Sequence, residues 1–346
     1  MSKPYLLLSD THYHDWDAFS SITEDGINSR LQILLEETER AFRHLREEGG
    51  DKIIHAGDMF HTRGSLVPSV LNPVIKLYKY WSERMSINAI AGNHDLESNT
   101  THWLTAATSA MPVFFAPQIR RLDDVVMVNW IPKMEDLAKA LEDLRDRHRD
   151  HSQLDVVIHA PVNGVLNGIP PHGLDSDYLA SLGFRRVFAG HYHNHKHFGN
   201  GVYSIGALTH QTWSDVGTKA GYCLVYPDRV DWFESHAPKF VSLPDGFLEE
   251  AEEVDMLDAC DGHYVRATLK SATAVEEAEV RARIEAAGAK GIILRNSKAS
   301  VETITRRSET LEGVETIDQA VAKFAERKGG KALVSVCEQI MKACVA

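Results

Sequence analysis

Histidine, aspartate and asparagine residues recur in short motifs through the first 193 residues of the chain. The motifs are Asp10-Thr11-His12, Gly57-Asp58-Met59-Phe60-His61, Gly92-Asn93-His94-Asp95, His159 and Gly190-His191-Tyr192-His193. Carboxylate, carboxamide and imidazole groups are ligands of divalent transition metals. Together they are enough to hold two metal ions and to leave histidines for proton transfer, which is the chemistry of metal-assisted phosphoester cleavage.

The first two motifs have the geometry that a metal site needs. Asp10 and His12 are separated by one residue, so on an extended chain they face the same side. A carboxylate and an imidazole in that arrangement suit manganese, iron or zinc better than magnesium, which favours oxygen ligands. Gly57 allows a sharp turn after a strand, and the single carboxylate of Asp58 can bridge two ions.

The third motif has two interpretations. Asn93 offers a neutral carboxamide oxygen to a metal, and His94 is placed as a proton donor. The same string also suits an Asx turn or a helix N-cap, and taken alone it favours neither interpretation. The ordered series of motifs, each following an apolar run, favours the metal site.

The elements that must position these motifs can be predicted from hydrophobic periodicity. We predict strands at 5–9, 52–56, 87–91, 125–130, 155–159, 186–189, 202–205, 222–226 and 230–233, and helices at 28–48, 68–83, 135–149 and 176–182. Strands that alternate with helices indicate an α/β fold of layered, mixed sheets flanked by helices. The motifs lie just past the carboxyl ends of their strands, where open α/β sheets bind their ligands.

The character of the sequence changes after residue 238. Prolines and the acidic run from Glu249 to Asp255 suggest a linker at 239–256 between a catalytic domain at 1–238 and a small α+β domain at 257–346. In the last of these we predict a strand at 263–269, a helix at 274–287 and a strand at 291–295. Further helices are predicted at 316–327 and at the carboxyl end, where apolar residues form one stripe.

Composition narrows the class of protein. The chain has 43% hydrophobic and 25% charged residues, as is ordinary for a globular protein. No apolar stretch is long enough to span a membrane, and no signal core precedes the motifs, so we expect a cytoplasmic protein. The net charge of −12 argues against a broad nucleic-acid surface, but two divalent ions held by Asp10 and Asp58 would leave a local charge of about +2. The four cysteines form no CxxC pair and are expected to be reduced.

The motif series resembles that of the calcineurin-like metallophosphoesterases. Within that superfamily, Ala56-Gly57-Asp58-Met59-Phe60-His61 is similar to the nuclease subunit of the SbcCD complex, which belongs to the DNA double-strand-break repair exonucleases. The resemblance covers about residues 4 to 235. The related protein phosphatases carry an aspartate-arginine pair where this chain has His61-Thr62, which speaks against that branch.

The resemblance implies a role for each matching residue. One metal would be bound by Asp10, His12, Asp58 and His193, and the other by Asp58, Asn93, His159 and His191. Mn2+ is the expected ion, with Mg2+, Fe2+ and Zn2+ as alternatives. His94 would donate a proton to the leaving oxygen, and His61 would support it; Asn93, His94 and His61 would contact the phosphate.

We therefore predict a two-metal DNA exonuclease or endonuclease that acts on phosphodiester bonds in DNA repair or recombination. The resemblance also implies a homodimer joined to an SbcC-like ATPase. Two other functions stay open from the sequence. One is a phosphodiesterase or phosphatase for small substrates on the same fold, and the other is a mainly structural subunit that anchors the ATPase.

Overall fold

The computed structural model describes residues 3–64, 66–98, 101–116 and 118–296. The chain divides into two units, of which the first comprises Met1–Arg266 and Ala282–Ile293. Within the described residues, the second unit comprises 267–281 and 294–296. All of the candidate site residues belong to the first unit. No helix among the residues described here is long and apolar enough to cross a membrane.

Strands and helices alternate through much of the described part of the chain. The strands are β1 (Tyr5–Leu8), β2 (Lys52–His55), β3 (Ser86–Ala89), β4 (Phe114–Phe115), β5 (Ile119–Leu122), β6 (Val125–Val128), β7 (Asp155–His159), β8 (Arg186–Gly190), β9 (Lys196–His197), β10 (Val202–Ser204), β11 (Gly221–Val225), β12 (Val230–Glu234), β13 (Phe240–Ser242), β14 (Tyr264–Leu269) and β15 (Gly291–Asn296). The helices are α1 (Ser29–Glu47), α2 (Pro68–Ser82), α3 (Ala106–Ser109), α4 (Met134–Arg147), α5 (Ser176–Ser181), α6 (Phe247–Glu250), α7 (Glu253–Cys260) and α8 (Ala274–Ala286).

Two six-stranded sheets carry the motifs. The first has the order β12-β11-β1-β2-β3-β4, and the second has the order β5-β6-β7-β8-β10-β9. β1, β2 and β3 run parallel, with Leu8 opposite His55 and His55 opposite Ala89. β7 and β8 are also parallel, with His159 opposite Gly190. The parallel strands therefore end at a common edge of each sheet.

The two sheets pack face to face because their side chains alternate. Leu7 and Ile54 of the first sheet and Val157 and Phe188 of the second form one buried cluster between the sheets. The intervening residues of the first sheet pack against α1 and α2 and those of the second against α4 and α5. This period of two is what a strand buried on both faces requires. The predicted layered α/β sandwich is confirmed.

The start of helix α1 is determined by an N-cap residue. The side chain of Asn28 accepts hydrogen bonds from the backbone N–H groups of Arg30 and Leu31 and so caps the helix. Leu31, Leu34, Phe42 and Leu45 then recur at helical spacing and are buried against the first sheet. The prediction of a helix at 28–48 agrees with this element.

A third sheet follows, with the order β13-β14-β15. The region predicted as a linker, 239–256, contains β13 and α6 and the start of α7, and β13 pairs in parallel with β14. The acidic run spans the end of α6 and the first turn of α7, where Glu252 and Asp255 make a capping box and carboxylates are favourable. The helices predicted at 316–327 and at the carboxyl end lie outside the described residues, and the domain boundaries stay a prediction.

Candidate metal centre

The ends of the parallel strands bring the motifs to one place. Asp10 follows β1 and its backbone N–H donates to the carbonyl of Gly57, which follows β2, at 3.0 Å. The backbone N–H of Trp130, after β6, donates to the carbonyl of Ala91, after β3, at 2.8 Å. The loops that leave the two sheets are therefore joined directly by hydrogen bonds.

The backbone at the site adopts an unusual conformation. Asp10, His12, Asp58 and His191 have φ angles of 51°, 43°, 56° and 99°, in the left-handed region that residues other than glycine rarely adopt. Each such residue costs on the order of 1–3 kcal/mol and persists only where its surroundings hold it in place. Gly57, with φ of 95°, has no room for a side chain, because a Cβ would lie 2.5 Å from Nδ1 of His159.

One group of potential ligands consists of Asp10, His12 and His193, whose ligand atoms all lie within 4.8 Å of one another. Asp10 is fully buried, and its Oδ2 accepts a hydrogen bond from the backbone N–H of His191 at 3.0 Å. Its other oxygen, Oδ1, is buried and has no hydrogen-bond partner within the described structure. Nε2 of His12 lies 3.8 Å from that oxygen.

A second group consists of Asp58, His159 and His191, again within 4.8 Å. Nε2 of His159 lies 3.4 Å from Oδ2 of Asp58 and 3.2 Å from Oδ1 of Asn93. Nδ1 of His191 lies 3.1 Å from the same Asn93 oxygen. Oδ2 of Asp58 is also 3.7 Å from Nε2 of His12, so this carboxylate lies between the two groups.

These donor sets fit divalent metal ions. Two ligands about 2.1 Å from one ion in tetrahedral or octahedral geometry are about 3.0–3.4 Å apart, close to the separations seen here. A buried carboxylate oxygen without a partner, such as Oδ1 of Asp10, is costly unless a cation satisfies it. Nδ1 of His159 donates to the carbonyl of Ala56 at 2.8 Å, so Nε2 is the nitrogen that faces Asp58 and Asn93 and that a metal would bind in place of a proton.

His94 and His61 complete the site on its open side. With His12 they form a third group whose ring nitrogens lie within 4.8 Å. Nδ1 of His94 donates to the backbone carbonyl of His61 at 2.6 Å, so Nε2 is the free nitrogen of this ring. The ring of His61 lies 4.5 Å from the ring of Trp16 and is half-buried.

The electrostatics of the site reflect burial and the two carboxylates. Burial alone would lower the pKa of His159, but the adjacent carboxylate of Asp58 outweighs it and raises that pKa to about 9. Burial and the neighbouring His159 lower the pKa of His191 to about 3. Burial raises the pKa of Asp10. Buried acids and imidazoles are thus crowded together with mutually perturbed pKa values, as in many functional sites.

Sequence reasoning missed the residues that hold these ligands in place. Oδ1 of Asp215 accepts a hydrogen bond from Nδ1 of His193 at 2.9 Å, which orients Nε2 of that histidine towards the site. The side chain of Gln211 donates to the backbone carbonyl of Asp10 at 2.7 Å. Both residues are buried in the segment before β11, where Asp215 ends a short 3-10 helix (Trp213–Asp215). No metal-ligand motif contains them, although Thr212 and Asp215 do form a recognisable capping box.

Asp95 holds two loops of the site together. In the structure its carboxylate accepts hydrogen bonds from the backbone N–H groups of Asp58, Met59 and Gly92, at 2.7, 3.0 and 2.9 Å. It therefore fixes the two loops after β2 and β3 against each other.

The structure brings together all of the predicted site residues, while two further histidines make other contacts. His210 is buried and accepts a hydrogen bond at Nδ1 from the backbone N–H of Phe240 at 3.1 Å. His195 stacks on Trp232 at 5.0 Å. These two rings have structural contacts, while the ligand and proton-donor roles of the site residues stay predictions.

Comparison with known proteins gives one family match. Residues 3–195 match the family described as calcineurin-like phosphoesterase. None of the curated proteins matches the chain. Among solved structures, a dimetal phosphatase from Danio rerio is similar with a TM-score of 0.42 and 10% identity, over 67% of this chain and 96% of that chain. The nuclease MPE from Pseudomonas putida is similar with a TM-score of 0.31 and 17% identity, over 66% of this chain and 87% of that chain. The family match extends over every motif described above.

Proposed function

The chain belongs to the calcineurin-like phosphoesterase family of metal-dependent hydrolases of phosphate esters, and we propose that it is a two-metal DNA nuclease. The observation that carries the proposal is the pair of ligand groups, Asp10-His12-His193 and Asp58-His159-His191, with the Asp58 carboxylate between them. The two acidic side chains offset only half of the charge of two divalent ions. A site with about two positive charges left over favours an anionic ester.

The proposed hydrolysis needs residues that bind the metal ions and a residue that donates a proton. One ion would be bound by Asp10, His12 and His193. The other would be bound by Asn93, His159 and His191, and the carboxylate of Asp58 would bind both ions. Two ions bound there supply Lewis acidity and a water of lowered pKa. His94 acts as the general acid, because Nδ1 is fixed on the carbonyl of His61 and Nε2 is free to deliver a proton to the leaving sugar oxygen.

The choice of DNA rests on the sequence of the second motif. Ala56 to His61 is similar to the nuclease subunit of the SbcCD complex, and His61-Thr62 replaces the aspartate-arginine pair of the related protein phosphatases. The half-buried ring of His61 lies 5.6 Å from that of His94, nearly parallel to it. It therefore supports the proton donor on the side where a phosphate would enter.

The test is Mn2+-dependent digestion of labelled linear and hairpin DNA, run beside a chromogenic phosphomonoester. We expect DNA cleavage that His94→Gln reduces by about 100- to 10,000-fold while two ions stay bound per chain. Asp58→Asn should lose bound metal as well as activity, because it removes the carboxylate between the two ligand groups. His236→Gln, which changes an exposed histidine outside the site, serves as the control.

Rapid hydrolysis of the monoester with no cleavage of any DNA would replace the nuclease proposal with that of a small-substrate phosphatase. Metal binding without hydrolysis of either substrate would favour a structural subunit. Loss of metal in His94→Gln, equal to its loss of activity, would contradict the role of His94 as a proton donor.

The same resemblance underlies our proposal that the chain acts as a homodimer with an SbcC-like ATPase. Light scattering of the purified chain tests the first part. Co-purification with an SbcC-like ATPase expressed from the same source, and the effect of ATP on the rate of DNA cleavage, test the second. A monomer that neither binds such an ATPase nor responds to it would contradict this part of the proposal while leaving the nuclease activity intact.

A further inference from the structure

An aromatic groove adjoins the metal centre. We use this name for the cavity of about 950 Å³ whose wall includes Trp103, Phe114, Phe115 and Trp130. Phe114 and Phe115 form β4 at the edge of the first sheet, and Trp130 follows β6 of the second. The groove is therefore built from the margins of both sheets, on the side where the candidate ligands lie.

Trp130 joins the groove to the site. Its ring lies nearly parallel to that of His191, with centroids 5.3 Å apart, and meets the ring of His159 edge-on at 5.9 Å. The preceding residue, Asn129, is fixed because its side chain accepts from the backbone N–H of Ala91 and donates to the carbonyl of Ala116. One wall of the groove is thus a rigid continuation of the site.

The outer part of the groove exposes large aromatic surfaces. The side chain of Trp103 is 65% exposed and that of Phe114 is 44% exposed. Apolar surface of this size in a concave site generally marks a place where a ligand or partner binds. The guanidinium of Arg120 lies 3.8 Å from the centre of the Phe114 ring. Aromatic rings and a positive charge thus occur together.

We propose that the aromatic groove binds unpaired bases of the strand whose phosphate is cleaved. This proposal rests on the nuclease function proposed above. Exposed aromatic rings next to a cation are the combination by which proteins hold single-stranded nucleic acid, because every base has a face that can stack. In a duplex those faces are covered by neighbouring base pairs. Trp103 and Phe114 therefore determine specificity for an unpaired strand, while the metal centre acts on the phosphate.

The test combines deletion of a ring with deletion of a base. Trp103→Ala and Phe114→Ala are compared with wild type on a single-stranded oligothymidylate, on the same strand with abasic sugars beside the cleaved bond, and on a blunt duplex. Tyr80→Ala, which removes a 48% exposed ring from α2, is the matched control. Circular dichroism and bound metal are measured for each variant.

We expect kcat/KM on the single strand to fall by about 10- to 100-fold in each groove variant, with little change on the duplex or in the control. Wild type should cleave the abasic strand with a lower kcat/KM than the intact strand. On the abasic strand, the kcat/KM of the groove variants should be close to that of wild type. The proposal is overturned if wild type cleaves the single strand but is indifferent to the missing bases and to both substitutions. It is also overturned if the substitutions only abolish self-association and leave cleavage unchanged. Failure of wild type to cleave any oligonucleotide, with hydrolysis of a monoester intact, instead overturns the proposed function.

Discussion

Asp155 provides a quantitative test of how the two sheets are held together. It is fully buried at the start of β7, and its carboxylate accepts two hydrogen bonds from Arg185 and two from Arg186, all between 2.7 and 2.8 Å. The hydroxyl of Tyr5 in β1 donates a fifth at 2.8 Å, so the cluster joins the two sheets. We expect Asp155→Asn to leave the guanidinium of Arg186, whose side chain is 8% exposed, without its counter-charge.

Removing one partner of a buried ion pair costs about 3–5 kcal/mol. At about 2–4 °C per kcal/mol for a domain of this size, the Tm should fall by about 6–20 °C. The matched control is Asp123→Asn, because Asp123 pairs with Lys52 at 2.6 Å while its side chain is 71% exposed. That change should cost less than about 1 kcal/mol.

Thermal unfolding of both variants, followed by circular dichroism with a chelator present, measures the difference without a contribution from bound metal. Asp155→Asn should still bind metal and hydrolyse substrate normally at low temperature, since Asp155 lies at the opposite end of β7 from His159. The reasoning fails if the two variants lose the same amount of stability, or if Asp155→Asn is as stable as wild type.

Three further predictions concern the site and a buried thiol. Asp10→Asn should raise the Tm of the metal-free protein, because it removes a buried charge with an unpartnered oxygen. It should lower the Tm measured with Mn2+, because it removes a metal ligand. A lower Tm under both conditions would contradict this prediction. Asp215→Asn should weaken metal binding by about 10- to 100-fold at the site that contains His193, leaving one ion tightly bound, as titration calorimetry with Mn2+ would show. Burial raises the pKa of Cys223 to about 12, so alkylation of the native protein at pH 8, mapped by mass spectrometry, should leave this thiol unmodified, whereas the unfolded chain should react.

The strands that carry the motifs could be predicted from sequence because burial on both faces makes them continuous apolar runs. The strand predicted at 155–159 has the bounds of β7, and the helix predicted at 28–48 differs from α1 by one residue at each end. The sequence does not predict β4 and β5, since two or four residues with exposed positions give no clear period. The strand predicted at 125–130 ends at Val128, because the side chain of Asn129 instead bonds to the backbone after β3.

The candidate ligands can be identified from sequence because they occur in short motifs of neighbouring residues. The residues that orient these ligands cannot be identified in this way, because their hydrogen bonds join distant parts of the chain. The hydrogen bond of His193 with Asp215 spans 22 residues, and that of Gln211 with Asp10 spans 201. Only the folded chain shows that the aspartate of a capping box also orients a histidine of the site.

Strands β7 and β8 have a charge cluster at each end, and the contrast between the two clusters supports the proposed position of the metal centre. At the amino ends of β7 and β8, Asp155 meets Arg185 and Arg186, and its carboxylate has five donors. At the carboxyl ends, beyond His159, carboxylates face imidazoles at 3.4–3.8 Å, and Oδ1 of Asp10 has no partner in the described structure. A cluster whose buried carboxylate is fully hydrogen-bonded contributes to stability. A cluster that is buried, has strained backbone and leaves a carboxylate oxygen without a donor favours binding of a cation, and we expect an ester phosphate to bind beside that cation.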